Sequence, residues 1–108
     1  MNNAKGEIKA KTVFETDDII AFHDIAPQAP THILVIPKQH KESLLHFNKE
    51  DEQLLLNLNH AVQSVARQLE LDKTGFRVVL NCGADAGQEV PHIHFHILAG
   101  RPFFWPPG

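Results

Sequence analysis

One stretch limits the fold of this chain more than any other. Between Asn48 and Gly75 the sequence spells a single long amphipathic helix, and no second stretch of that kind occurs. Leu54, Leu55, Leu58, Ala61, Val62, Val65, Ala66 and Leu69 recur at the spacing that gathers apolar side chains on one helix face. Asn48 stands where a cap is wanted, and Glu50, Asp51 and Glu52 put carboxylates in the first turn, where the helix dipole favours them. The spacing predicts a helix from about residue 49 to about residue 70. One apolar helix face needs a cover, and the rest of the chain offers strands to provide it.

Thr12–Glu15 and Ile19–His23 are short runs of β-branched and aromatic residues around Thr16-Asp17-Asp18, which reads as a hairpin. Ile25–Thr31 contains Pro27 and Pro30 and reads as a loop. His32–Ile36 is a buried strand closed by Pro37, and Ser43–Phe47 a short helical turn. After the helix come a strand over Phe76–Asn81, a glycine-containing loop over Cys82–Gln88, a strand over His92–Leu98, and an extended tail over Gly100–Gly108. With only one long helix, the order argues for an α+β domain. Its sheet is mostly antiparallel and five-stranded, covered on one face by the helix, with one short helical turn besides. A doubly wound parallel sheet would need more alternating helices. We expect a single domain over residues 1–108, with residues 1–6 flexible.

Composition narrows the function classes. At 108 residues the chain supports one core, and 43% hydrophobic with 21% charged residues is ordinary globular usage. A net charge of −3 argues against nucleic acid as partner. The lone Cys82 excludes an internal disulfide and a cysteine zinc site. No apolar run reaches the roughly 20 residues of a membrane span, and no secretory leader pattern precedes Lys5–Lys11. We therefore expect a cytoplasmic protein without membrane contact.

The chain holds eight histidines, three of them in His92-Ile93-His94-Phe95-His96-Ile97-Leu98. Strand side chains alternate faces, so the three imidazoles should share one face and Ile93, Phe95 and Ile97 the other. Imidazole titrates near neutrality unaided, and such a row suits anion binding, proton transfer or nucleophilic attack. Two other readings stand beside this one: a solvated strand face, and a metal site completed by His23, His32 or Asp24. The loop Asn81–Gln88, emptying into the histidine strand, is a candidate anion nest or simply a tight connection. Asp24 suits sugar hydroxyls or a turn cap. His40 and His46 read as surface residues, as does His60 on the helix.

The histidine run resembles the signature of the histidine triad (HIT) superfamily. Three further segments are similar to it: Ala21–Lys38, Ala86–Val90, and Leu98–Arg101 together with Trp105–Gly108. The Ala-Gly-Arg after the triad and the Trp-Pro-Pro-Gly end resemble the Hint branch. The dinucleoside-polyphosphate-hydrolase branch usually continues with Pro-Arg there. The resemblance implies roles. His94 would be the nucleophile attacking the α-phosphorus of a purine nucleoside 5′-phosphoramidate (AMP-like or GMP-like), through a nucleotidyl-histidine. His92 and His32 would form the relay that fixes its tautomer. His96 would contact the phosphoryl group and help protonate the departing amine. Asp24 would hold the ribose, Asn81 and the Gly87–Gln88–Glu89 backbone would cradle the α-phosphate, and Trp105 would act in substrate selection.

The resemblance implies no cofactor and no metal: Ile19 stands at the cysteine of the family's optional zinc pair, leaving His40 alone. Glu89 stands where some members carry a phosphate-donating serine, and an ionised carboxylate only accepts. An apolar segment that helps line the base pocket usually precedes the matching stretch, where this sequence has Met1–Gly6. Members of the branch pair their sheets across a homodimer. The aromatic, proline-rich tail asks for the same cover and is expected near the partner's site. A dinucleoside polyphosphate hydrolase, or a nucleotide-binding interaction protein with weak turnover, are the competing functions.

Overall fold

The computed structural model describes residues 11–108. The expectation for residues 1–6 falls outside them. Strands β1 (Thr12–Glu15), β2 (Ile19–His23) and β3 (Thr31–Pro37) precede helix α1 (Glu52–Gln68), and β4 (Phe76–Leu80) and β5 (Phe95–Ala99) follow it. All pairings are antiparallel, in the order β1-β2-β3-β5-β4. β5 therefore inserts between β3 and β4, which leaves β1 and β4 at the edges and puts the histidine strand inside the sheet. The β1–β2 turn forms because Thr16 Oγ1 accepts from the N–H groups of Asp18 (3.2 Å) and Ile19 (3.1 Å).

Period-two alternation divides the sheet into two unlike faces. Ile19, Ala21, Ile33, Val35, Ile97 and Ala99 turn to α1 and pack on Leu58, Ala61, Val62, Val65 and Ala66. His23 shares this alternation with Ile19 and Ala21, away from the histidines that the alternative metal reading would have it join. The other face carries a smaller cluster of Ile20, Phe22, Leu34 and Ile36. On that same face, by register, stand His32 of β3 and His96 of β5, the latter opposite Leu34. The core anchors one side of β3 and β5, and their polar chemistry stands on the other.

The helix starts at Glu52 rather than near residue 49, because Asn48–Asp51 closes a tighter turn. Asn48 Oδ1 accepts from the Glu50 N–H, while Asp51 Oδ2 accepts from the Asn48 N–H, both at 3.0 Å. Leu55 leaves the predicted apolar stripe. Together with Leu56 it lines an open groove with Leu44, Leu80 and Phe95.

The larger correction concerns the triad. β5 begins at Phe95, not at His92. Continuing its register with β3 would set Ile93 opposite Pro37, which has no N–H to donate. The ladder stops there. The Pro37 carbonyl takes the His92 ring instead, and the His92 N–H turns back onto Val90 O (2.8 Å) while the Ile93 N–H goes to Lys41 O (2.7 Å). The three imidazoles therefore do not form one row: His92 is buried, and only His94 and His96 stand side by side, with ring centroids 4.9 Å apart.

Candidate active site

The partners of each imidazole dictate where its proton sits. His92 Nε2 lies 2.9 Å from the Pro37 carbonyl, which can only accept, so Nε2 carries the proton and Nδ1 is left as an acceptor. His40 Nδ1 lies 3.3 Å from that Nδ1 and donates to it. His94 Nδ1 lies 2.9 Å from the His92 carbonyl, so it too must donate. The Nε2 lone pair of His94 is thereby left free. Burial, only partly opposed by the Pro37 carbonyl, lowers the pKa of His92, with His40 and His94 adding to the effect, so its ring is neutral near neutral pH.

A second chain runs through β3. The Gln28 N–H donates to His32 Nδ1 (3.0 Å), so His32 holds its proton on Nε2 and donates to His96 Nδ1 (2.9 Å). His96 in turn keeps its proton on Nε2. Burial is the main cause that brings the pKa of His96 down to about 4, with the neighbouring His94 and His32 adding to it and Asp24 opposing. Burial lowers His32 as well, against the opposing pull of Asp24. Asp24 Oδ2 stands 3.4 Å from His32 Nε2, and its Oδ1 caps a turn by accepting from the Ala26 N–H (2.8 Å). The expected pairing of His92 with His32 is not formed. His32 belongs to His96, and the partner of His92 is His40, which is exposed as expected yet reaches the buried ring.

The loop before the triad is braced from inside. Gln88 Oε1 accepts from the Gly83 N–H (2.9 Å), and its Nε2 donates to Glu42 O (2.7 Å) and Val90 O (3.2 Å). The Gly87 N–H goes to Ala84 O and the Gln88 N–H to Gly83 O. Two of the three expected phosphate donors are thus spent within the loop, which leaves the Glu89 N–H. The Gln88 side chain shapes the loop instead of offering a contact. Asn81, with Asp85 and Ala86, faces the tail across a cleft walled by Arg101, Phe103 and Phe104. Trp105 is 83% exposed.

Comparison with known proteins decides the family: the model of the HIT domain matches residues 5–103. The chain belongs to the HIT family. An uncharacterized 13.2 kDa HIT-like protein from Azospirillum brasilense is 50% identical over 98 residues, 90% of this chain and 80% of that protein. Among solved structures, a HIT family hydrolase from Legionella pneumophila is 48% identical with a TM-score of 0.92, covering 97% of this chain and 94% of that one. A histidine triad nucleotide-binding protein from Candida albicans is 32% identical with a TM-score of 0.79, covering 96% of this chain and 79% of that one.

Among the described residues of this HIT protein, one group of side chains has metal-like proximity: the ligand atoms of Asp24, His32 and His96 lie within 4.8 Å of one another. Their chemistry does not suit a metal. The Gln28 N–H occupies Nδ1 of His32, so the neutral ring has no lone pair left on Nε2 to offer an ion. Metal-binding histidines show the reverse arrangement, donating from their second nitrogen. His40 had one thin signal in the sequence. It lies three residues past the proline that ends β3, and that β3 runs beside β5 is given only by the fold.

Proposed function

We propose that this HIT protein hydrolyses the P–N bond of nucleoside 5′-phosphoramidates through a nucleotidyl-histidine, as the Hint-like ending of the sequence suggests. The observation that carries the reading is the His94 Nδ1–H bond to the His92 carbonyl. A neutral imidazole fixed in that tautomer presents a nucleophilic Nε2 without needing a base. Nε2 attacks the α-phosphorus, the P–N bond breaks, and the amine leaves with the electron pair, taking from solvent a proton that the attacking water gives back in the second step. The phosphorylated ring is cationic, and its Nδ1–H still points at a carbonyl that stabilises the charge. Water then attacks phosphorus, releasing the nucleoside monophosphate and freeing His94.

His96 presents an Nε2–H at 4.9 Å centroid distance from His94, suited to a phosphoryl oxygen or the leaving nitrogen. Asp24, with its Oδ1 already holding a turn, is the candidate for the ribose hydroxyls. Names of similar proteins support the broader class, one being called a hydrolase and one a nucleotide-binding protein. The half-buried free thiol of Cys82 is compatible with the cytoplasm, where this reading places the chain.

The test is turnover of adenosine 5′-phosphoramidate against a diadenosine polyphosphate, both in EDTA. A kcat/KM at least about tenfold higher for the phosphoramidate is expected. Preference for the polyphosphate, or a rate that EDTA removes and zinc restores, contradicts the reading.

A further inference from the structure

Arg101 stands outside the four histidines and outside the chemistry above, yet it ties the C-terminal tail to one of their hydrogen-bond chains. Its Nη2 donates to the Gln28 carbonyl and its Nη1 to Pro102 O, both at 3.1 Å. Its guanidinium carbon lies 4.3 Å from the centre of the Phe103 ring. Arg77 of β4 also lies against that ring, at 5.3 Å, and donates to Phe104 O (3.2 Å). The tail segment next to Arg101 is therefore held to the sheet.

Gln28 sits at the other end of this tie. It is exposed, lies between two prolines, and belongs to no strand. Its N–H is the group that occupies His32 Nδ1. A free neutral imidazole populates both tautomers, so this one N–H decides that His32 donates from Nε2 and that His96 accepts at Nδ1. Only a fixed Gln28 can do so reliably. Two contacts fix the loop from outside: the Arg101 bond to the Gln28 carbonyl, and close packing of Gly100 against Pro30. Gly100 has φ +98°, and a Cβ there would lie 2.7 Å from Pro30 Cβ, so the two segments approach as only glycine permits.

We propose that Arg101 is a positioning residue: by holding Gln28 it keeps the Gln28 N–H on His32 and so sets which nitrogen of His32 and His96 carries the proton. The tail thereby acts on the site through the Gln28 loop as well as through any substrate contact of its own. Only the kinetic part of the test rests on the phosphoramidase reading.

The experiment measures imidazole nitrogen-15 shifts of His32 and His96 in the full chain near pH 8, with kinetics on adenosine 5′-phosphoramidate, for the wild type, R101Q and R101K. Backbone spectra establish that each variant is folded. Both wild-type rings should carry the proton on Nε2. R101Q should show Nδ1 protonation at His32, with kcat down at least about tenfold and KM within about threefold. R101K keeps a cation able to reach the Gln28 carbonyl and should recover the wild-type tautomers and most of kcat. An R101Q protein with wild-type tautomers, or with mixed tautomers and unchanged kcat, overturns the proposal. If the wild type leaves the phosphoramidate intact, the proposed activity fails, while the tautomers still decide the role of Arg101.

Discussion

His32, His92 and His96 share a physical situation: each is removed from water enough that its charged form is disfavoured. That keeps three rings around His94 neutral, so their hydrogen bonds keep one direction. It also costs stability in acid. An unfolded histidine protonates near pH 6.5, whereas His96 resists down to about 4. Between those values the unfolded chain binds more protons than the native one, so stability falls with falling pH across that window. Asp51, held below its ordinary range first by its hydrogen bond to Lys41, stabilises above its unfolded pKa and loses that contribution only at lower pH. Thermal unfolding scans should therefore show Tm falling steadily from about pH 6.5 to about pH 4. A flat or rising Tm across that range contradicts the assignment of neutral, buried rings.

Helix α1 and the hairpin were legible because their signals are local: a cap, an apolar stripe, a turn-forming threonine. The same holds for β3, whose apolar run closed by Pro37 marks a buried strand, although the face that carries His32 is visible only in the fold. On the stripe Leu58, like Val65, is fully buried against the sheet. Leu58→Ala should cost about 2–5 kcal/mol by denaturant titration, and Leu55→Ala, at 38% exposure, much less. Equal costs would contradict the packing. The start of β5 was not legible, since nothing near His92 announces that Pro37, 55 residues earlier, ends the ladder. The direction of the relay failed for the same reason. His40 meets His92 only because β3 and β5 are neighbours, an adjacency that strand order alone does not give. The backbone N–H of Gln88, expected to meet a phosphate, is instead spent on Gly83 O, a bond that the loop's sequence does not announce.

At the scale of the molecule, an unpaired edge and an apolar groove lie together. β4 is an edge strand with Phe76 and Val78 exposed, and the groove of Leu44, Leu55, Leu56, Leu80 and Phe95 adjoins it through Leu80. An open edge beside exposed apolar side chains is a liability unless covered. We propose a second copy of the chain as the cover, joining two sheets across a two-fold axis. Light scattering should then give twice the mass of one chain at micromolar concentration, and Val78→Asp with Leu56→Lys should give the mass of one. A monomeric wild type contradicts the pairing. Phe104 and Trp105 remain exposed on one chain, and the same dimer offers them a partner's surface.

The central claim is that His94 Nε2 becomes covalently attached to the nucleotide. Rapid acid-free quenching during turnover of adenosine 5′-phosphoramidate, followed by digestion and mass spectrometry, tests it directly. The account predicts an adenylate on the peptide containing His94, appearing before the first turnover is complete. It also predicts that His94→Ala still binds AMP but loses at least about a thousandfold in kcat, with no adduct. Adenylate on another residue, or turnover by His94→Ala above a tenth of the wild-type rate, would contradict it.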